Sequence, residues 1–357
     1  MKDSGCRYLV IGFPSAYACG LVELLAEKGE GRVALLCPEN LIAPAKIWSK
    51  SSGKASGLID IIEGEPWLVD FGIEGKKWKA IAESVEYIFN CYSTFNPQVR
   101  VRDSFLEVRE LAMSSPRLKR IFFLISFVDK FSGEQTENGK TWIHTTIRME
   151  QILEKMKVGM PWTVVRCGIP LLTEKFFIPS ISIDPVESAL IALVVLHCQL
   201  DIKTLGKIDK RYMVFTPVKH FTRIVDAILS SQDCLGEFVD ILYDGGMNVS
   251  VIRSFIGNVY EGKLFGGESF LSVVRKFGKK ILERVIGNVS PADLLISCTT
   301  SLPVKCEKTE HYLNQKGISI PRIADYIPET VESCSKVIEQ IVHSLTGYEQ
   351  SRDILDD

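Results

Sequence analysis

The 357-residue chain lacks the marks of several protein classes. It has no excess of basic residues, since 42 Lys+Arg stand against 44 Asp+Glu for a formal charge of −2. With a pI near 6.3, that balance argues against a nucleic-acid or acidic-membrane binder. No two of its ten cysteines form a CxxC pair, and none of its five histidines falls at ligand spacing with them, so a metal site is not expected. Ten cysteines in so long a chain are too few for a disulfide-stapled scaffold, and reduced thiols in a cytosolic protein are the simplest account. The most apolar stretch, Ala189 to Leu196, falls well short of the ~20 residues of a membrane span and reads as a buried helix. There is no internal repeat and no low-complexity linker. Disorder is excluded by a composition of 46% hydrophobic and 24% charged residues.

The first residues have a basic residue, an apolar stretch and Ala-Tyr-Ala before Cys19, loosely like a secretion signal. Asp3, Arg7 and Pro14 interrupt that pattern, and the segment runs straight into a helix and a second strand. A cytoplasmic protein is therefore expected.

What is present is alternation. Apolar runs at Arg7–Gly12, Arg32–Cys37, Leu58–Ile62, Val85–Cys91, Lys119–Ser126 and Pro161–Cys167 read as strands. Amphipathic stretches at about 18–28, 99–113 and 145–156 read as helices between them. Continuously apolar strands alternating with helices imply a parallel sheet covered on both faces, an α/β doubly wound, Rossmann-like domain. Residues 1–178 are assigned to it, and 179–357 to a smaller, mostly helical subdomain for a substrate or partner. Part of 205–245 is expected to return to the first domain. Helices are read at 186–200 and 216–229, a strand at 237–242, and an irregular patch at 298–310.

The order of these elements resembles the extended short-chain dehydrogenase/reductase family, in its thioester-reductase and fatty-acyl-reductase-like branch. The resemblance rests on Leu9–Leu25 (like the family's first strand, glycine turn and helix), Ile61–Ile73 (like the strand that in the family ends in Gly-Asp), Val85–Asn96 (like the strand that in the family ends in His-x-Ala-Ala) and Trp142–Gly168 (like the family's Tyr/Lys helix and Arg-Pro-Gly strand end). Phe215–Ile228 and Tyr312–Tyr326 extend it over nearly the whole chain. It implies an NAD(P)-binding fold.

Against that pattern the chain departs at five places. The glycine turn, which lets a pyrophosphate lie on backbone N–H groups, reads Gly12, Ser15 and Ala18, with Pro14 removing a donor. After the second strand, where reductases using the phosphorylated cofactor carry Arg, the chain has Cys37, Pro38 and Glu39; Glu39 is a candidate ribose ligand or a loop cap. Tyr92 and Ser93 replace two small residues over which the cofactor passes. The Tyr and Lys positions fall on Trp142 and Thr146, a register that keeps Glu150 and the next strand in place without a gap. A slip of two residues instead gives His144 and Arg148, and neither register provides Tyr-x-x-x-Lys. Ser126 is present, but Phe127 and Val128 follow where the resemblance places the active hydroxyl.

Hydride transfer needs a phosphate cradle, room for nicotinamide and a proton donor, and all three are weakened. The leading expectation is an SDR-like protein that needs no cofactor and binds a small molecule or acyl ligand in the former cleft. Asn90, Tyr92, Trp142, Thr146, Cys167 and Gly168 would line it. His144, Ser126 and Arg148 are the candidates for a cofactor-independent elimination, isomerisation or cyclisation, set in acyl or natural-product metabolism. One alternative is a working reductase using NADP or NAD, with Glu39 on the ribose and His144–Arg148 as relay. The other is a non-catalytic interaction subunit or homo-oligomer. For that reading, the amphipathic stretch Ser269–Val285 presents a basic face and an apolar face, suited either to a partner or to its own core.

Overall fold

The computed structural model describes residues 5–51, 53–91, 101–126, 159–171, 188–200, 202–229, 231–241, 246–287, 289–300, 307–318 and 322–346. The first half alternates as its apolar runs predict: β1 (Cys6–Ile11), α1 (Ala16–Lys28), β2 (Arg32–Cys37), α2 (Ile42–Ser51), β3 (Ile59–Glu63), α3 (Gly75–Ser84), β4 (Tyr87–Asn90), α4 (Val101–Met113), β5 (Arg120–Ser126) and β6 (Trp162–Cys167). The predicted helix at 145–156 lies outside the described residues.

Next come β7 (Ile169–Leu171), α5 (Ala189–Gln199), α6 (Ile202–Ile208), β8 (Tyr212–Met213), β9 (Phe215–Pro217), α7 (Val218–Leu229) and β10 (Phe238–Ile241). The chain then forms β11 (Met247–Asn248), α8 (Val249–Tyr260), the hairpin β12–β13 (Leu264–Phe265 and Glu268–Ser269) and α9 (Phe270–Ile286). It closes with α10 (Pro291–Ser297), β14 (Thr299–Thr300), α11 (Glu307–Gln315) and α12 (Ile327–Thr346).

Seven parallel strands form the central sheet in the order β10-β6-β5-β4-β1-β2-β3. The segment with a secretion-like pattern contains β1, one of the sheet's inner strands. Strand β10 rejoins the sheet beside β6, with Asp240 opposite Arg166, as expected for part of 205–245. Alternate residues feed two cores. Phe89 and Phe122 stack at 4.9 Å on the face covered by α1 and α7, while Phe123 stacks on Phe105 of α4 at 4.8 Å on the other. Helix α1 lies hard against α7: a Cβ on Gly20 would come within 2.4 Å of Val218 Cγ1.

Helix α5 is apolar around its whole circumference and is therefore surrounded, packing with α8, α9, α10 and α12. Gly278 lies where α9 meets α5: an added Cβ would sit 2.3 Å from the Gln199 amide nitrogen, the movable end of that side chain, and 3.1 Å from Val195 Cγ1. The apolar face of the 269–285 stretch, through Val273, Val274, Ile281 and Val285, is buried inside this chain. Of the two readings of that stretch, the structure bears out the core face and not the partner-docking face. The patch read as irregular holds β14 and the start of α11, with 301–306 outside the described residues. All nine described cysteines are buried free thiols. No helix among the described residues is long and apolar enough to cross a membrane.

Candidate functional site

In a parallel sheet every strand ends at the same edge, so the described candidates gather there: Gly12 after β1, Glu39 after β2, Asn90 on β4, Ser126 on β5, Cys167 at the end of β6 and Gly168 just after it. Strand order reverses between β1 and β4, which opens the crevice where such folds bind ligands. Asn90 stands at that reversal, paired with Ile11 on one side and Phe123 on the other, and is 2% exposed. Ser126 ends β5 opposite Cys167. Tyr92, Trp142, His144, Thr146 and Arg148 lie outside the described residues.

The β1–α1 turn keeps one feature of a glycine turn and loses two. Gly12 has φ 121°, a conformation that favours glycine. Ser15 takes φ −49° and ψ 136° at the start of α1, and its side chain makes no cap hydrogen bond. Its N–H donates to the Gly12 carbonyl at 2.9 Å, and Pro14 has no N–H to offer. Phe13 is buried against Trp48 of α2, ring centroids 5.7 Å apart. Ala18 is wholly buried and serves packing. The turn departs from a glycine cradle in residue type: Ser15 and Ala18 stand at two positions where the resemblance has glycine, and Pro14 lacks a donor.

At the next two strand ends the charge is negative. Glu39 is exposed in a short 3-10 turn whose carbonyl accepts the Ile42 N–H. Glu65 follows Gly64, whose N–H donates to Cys37 at 2.9 Å and whose Cβ would strike Phe71 O at 2.7 Å. Burial, and then the carboxylate of Glu39, raise the Glu65 carboxyl above its ordinary value. Glu65 was missed as a site residue, although Gly64-Glu65 occupies the Gly-Asp position of the resemblance and was readable. Two carboxylates here repel a 2′-phosphate and suit a diol.

The other end of the crevice is tied by hydrogen bonds. Tyr17, in the first turn of α1, donates to the carbonyls of Gly168 at 3.0 Å and Thr216 at 3.1 Å. Thr216 Oγ1 accepts the Gly168 N–H at 2.9 Å and donates to Ile241 O at 2.5 Å. Gly168 is required because its Cβ would fall 2.5 Å from Val214 O. Arg166 makes a two-point ion pair with Asp240 across β6 and β10. Burial pushes the Cys37 thiol up to about 12 and the Cys91 thiol up as well. Burial, then Cys91 and Asp240, push Cys167 upward too, so none of the three is a thiolate nucleophile at neutral pH. One Tyr-x-x-x-Lys exists in the described chain, Tyr312–Lys316, but it lies on α11, where Tyr312 neighbours Ser231 and Cys234 before β10, at the opposite edge of the sheet.

The seven-stranded parallel sheet, its reversal beside β1 and the helical C-terminal half define a doubly wound, Rossmann-like α/β fold. The sequence matches no protein-family model and no curated protein. Solved structures share the fold. The reductase (R) domain of a nonribosomal peptide synthetase from Mycobacterium tuberculosis aligns with a TM-score of 0.64 at 13% identity, over 95% of this chain and 93% of that one. The terminal R domain from the myxalamid PKS-NRPS biosynthetic pathway aligns at 0.59 and 13%, over 96% and 91%. The Bordetella bronchiseptica enzyme WbmF in complex with NADH aligns at 0.61 and 13%, over 97% of both chains. At such identities the likeness is one of fold.

Proposed function

We propose that this SDR-like protein binds a small molecule or acyl ligand in the crevice at the carboxyl edge and does not carry out NAD(P)H-dependent reduction. The β1–α1 turn is the observation that supports this reading. Its Ser15 N–H is spent on Gly12, Pro14 has none, and Ser15 replaces the glycine that the resemblance expects beside a pyrophosphate. Residues 1–178 supply the crevice and 179–357 the remaining ligand contacts. A cofactor-independent elimination, isomerisation or cyclisation falls to His144, the titrating group that the sequence assigns to this cleft, with Arg148 and Ser126 beside it in the same assignment. Such a protein acts in the cytoplasm, in acyl or natural-product metabolism.

A second reading, a reductase with altered residues, is favoured by two observations. Gly12 keeps its positive φ, and Glu39 with Glu65 offers a diol site suited to NAD rather than NADP. WbmF, a structural neighbour, is an NADH complex. The readings separate in a hydride-transfer assay of the full chain, following 340 nm absorbance with NADH or NADPH against medium-chain aldehydes and acyl thioesters. The proposal expects no turnover above the protein-free rate. Protein-dependent oxidation of either cofactor overturns it.

A further inference from the structure

Strand β3 ends the sheet on one side, with no strand beyond it among the described residues. Natural edge strands are usually blunted by Lys, Pro or a bulge. This one, Ile59-Asp60-Ile61-Ile62-Glu63, has none of these and keeps an unbroken register, from Val33 opposite Ile59 to Cys37 opposite Glu63. Asp60 is paired with Arg32 of β2, so its charge does not guard the edge. The Gly64 N–H donates to Cys37 O, which turns the backbone of Asp60 and Ile62 toward β2 and that of Ile61 and Glu63 outward. The outward N–H and C=O groups of Ile61 and Glu63 meet no partner among the described residues.

Beside that edge runs a slot of about 600 Å³. Ile42 and Lys46 of α2 wall it on one face of the sheet, and Lys77 and Ile81 of α3 on the other. Along the ~16 Å of a strand of this length, that volume has roughly the cross-section of one extended chain, about 4.8 Å by about 10 Å. The charges in the slot are balanced. Glu63 and Glu74 stand at the carboxyl end of β3, and Lys46 and Lys77 lie near the starts of α2 and α3. None of these four makes an ion pair among the described residues.

We propose that the slot takes an eighth strand, an extended peptide segment of a partner protein. Its backbone pairs with Ile61 and Glu63, and β-branched side chains at alternate positions lie between α2 and α3. A basic residue faces Glu63 and Glu74, and an acidic one faces Lys46 and Lys77. A second copy of this chain fits less well, because its β3 carries α2 and α3 on its two faces and these would meet the same helices across the edge.

The probe is a fluorescein-labelled peptide, Lys-Val-Glu-Val-Thr with an amidated end, matched antiparallel to β3 and followed by anisotropy with the full chain. Expected is saturable binding that weakens about tenfold in Glu63→Lys with Glu74→Lys, at two exposed positions, and recovers when the peptide's Lys is replaced by Glu. N-methylation of the peptide's central Glu removes the donor that faces Ile61 and abolishes binding with the protein itself unaltered. Absence of binding at millimolar peptide overturns the proposal, as does binding indifferent to both N-methylation and charge reversal. A dimer in sedimentation that Glu63→Lys with Glu74→Lys dissociates also overturns it, by giving the slot to a second copy.

Discussion

The hydroxyl of Tyr17 lies 3.0 Å from the carbonyl oxygen of Gly168, which joins the first turn of α1 to the end of β6 across 151 residues of sequence. The same hydroxyl reaches Thr216, so one phenol fixes both halves of the crevice rim. Tyr17→Phe removes the donor and leaves buried carbonyls without it, at a cost of about 1–2 kcal/mol. Urea unfolding of Tyr17→Phe, Thr216→Val and the double variant should give non-additive losses, because the two side chains share Gly168. Strict additivity would contradict a shared network.

Close packing of α1 on α7 gives a second prediction. Gly20→Ala puts a Cβ 2.4 Å from Val218 Cγ1, and the helices must part, costing about 1–3 kcal/mol. Combining it with Val218→Ala makes room, so the pair loses less stability than the sum of the single changes.

The Arg166–Asp240 pair is mostly buried, with side chains 10% and 24% exposed. Arg166→Met takes its two-point cation from the Asp240 carboxylate and should cost about 3 kcal/mol. Arg166→Met with Asp240→Leu removes both charges and should recover most of the loss in a chemical melt. A double variant as weak as the single one would show that the pair contributes by packing and not by charge balance.

Glu65 gives a pH signature. Burial and Glu39 raise its carboxyl in the folded protein, so the ionised form is penalised there at neutral pH. That penalty fades as pH falls through the raised value toward the ordinary carboxylate range near ~4.3. Glu65→Gln should therefore raise the melting temperature at about pH 8, with the gain vanishing by about pH 4. A gain that is constant with pH would remove the Glu39–Glu65 repulsion from the account.

Much of the sheet was legible because parallel strands are buried on both faces and read as unbroken apolar runs. Arg32–Cys37 is β2 to the residue, and β5 and β6 start one residue inside their predicted ranges. Helix α1 starts at Ala16 rather than about 18, since Ser15 begins it without the side-chain cap that marks a start in sequence. The pattern of α9 left its partner open, because an apolar stripe looks the same whether it faces another protein or α5. Gly12, Asn90 and Gly168 were placed at one edge of the sheet because strand ends can be read from sequence and a parallel sheet collects them. Tyr17 and Thr216 were not. Their roles depend on a contact between distant segments, and no local signal encodes it.

The proposed function requires that the crevice does not serve a nicotinamide cofactor. Calorimetric titration of the full chain with NADH and with NADPH tests this most directly, with melting temperature as the second readout. The account predicts no saturable heat and no melting shift at millimolar cofactor. Saturable one-to-one binding of either nucleotide, with a melting point rising as it is added, would contradict it.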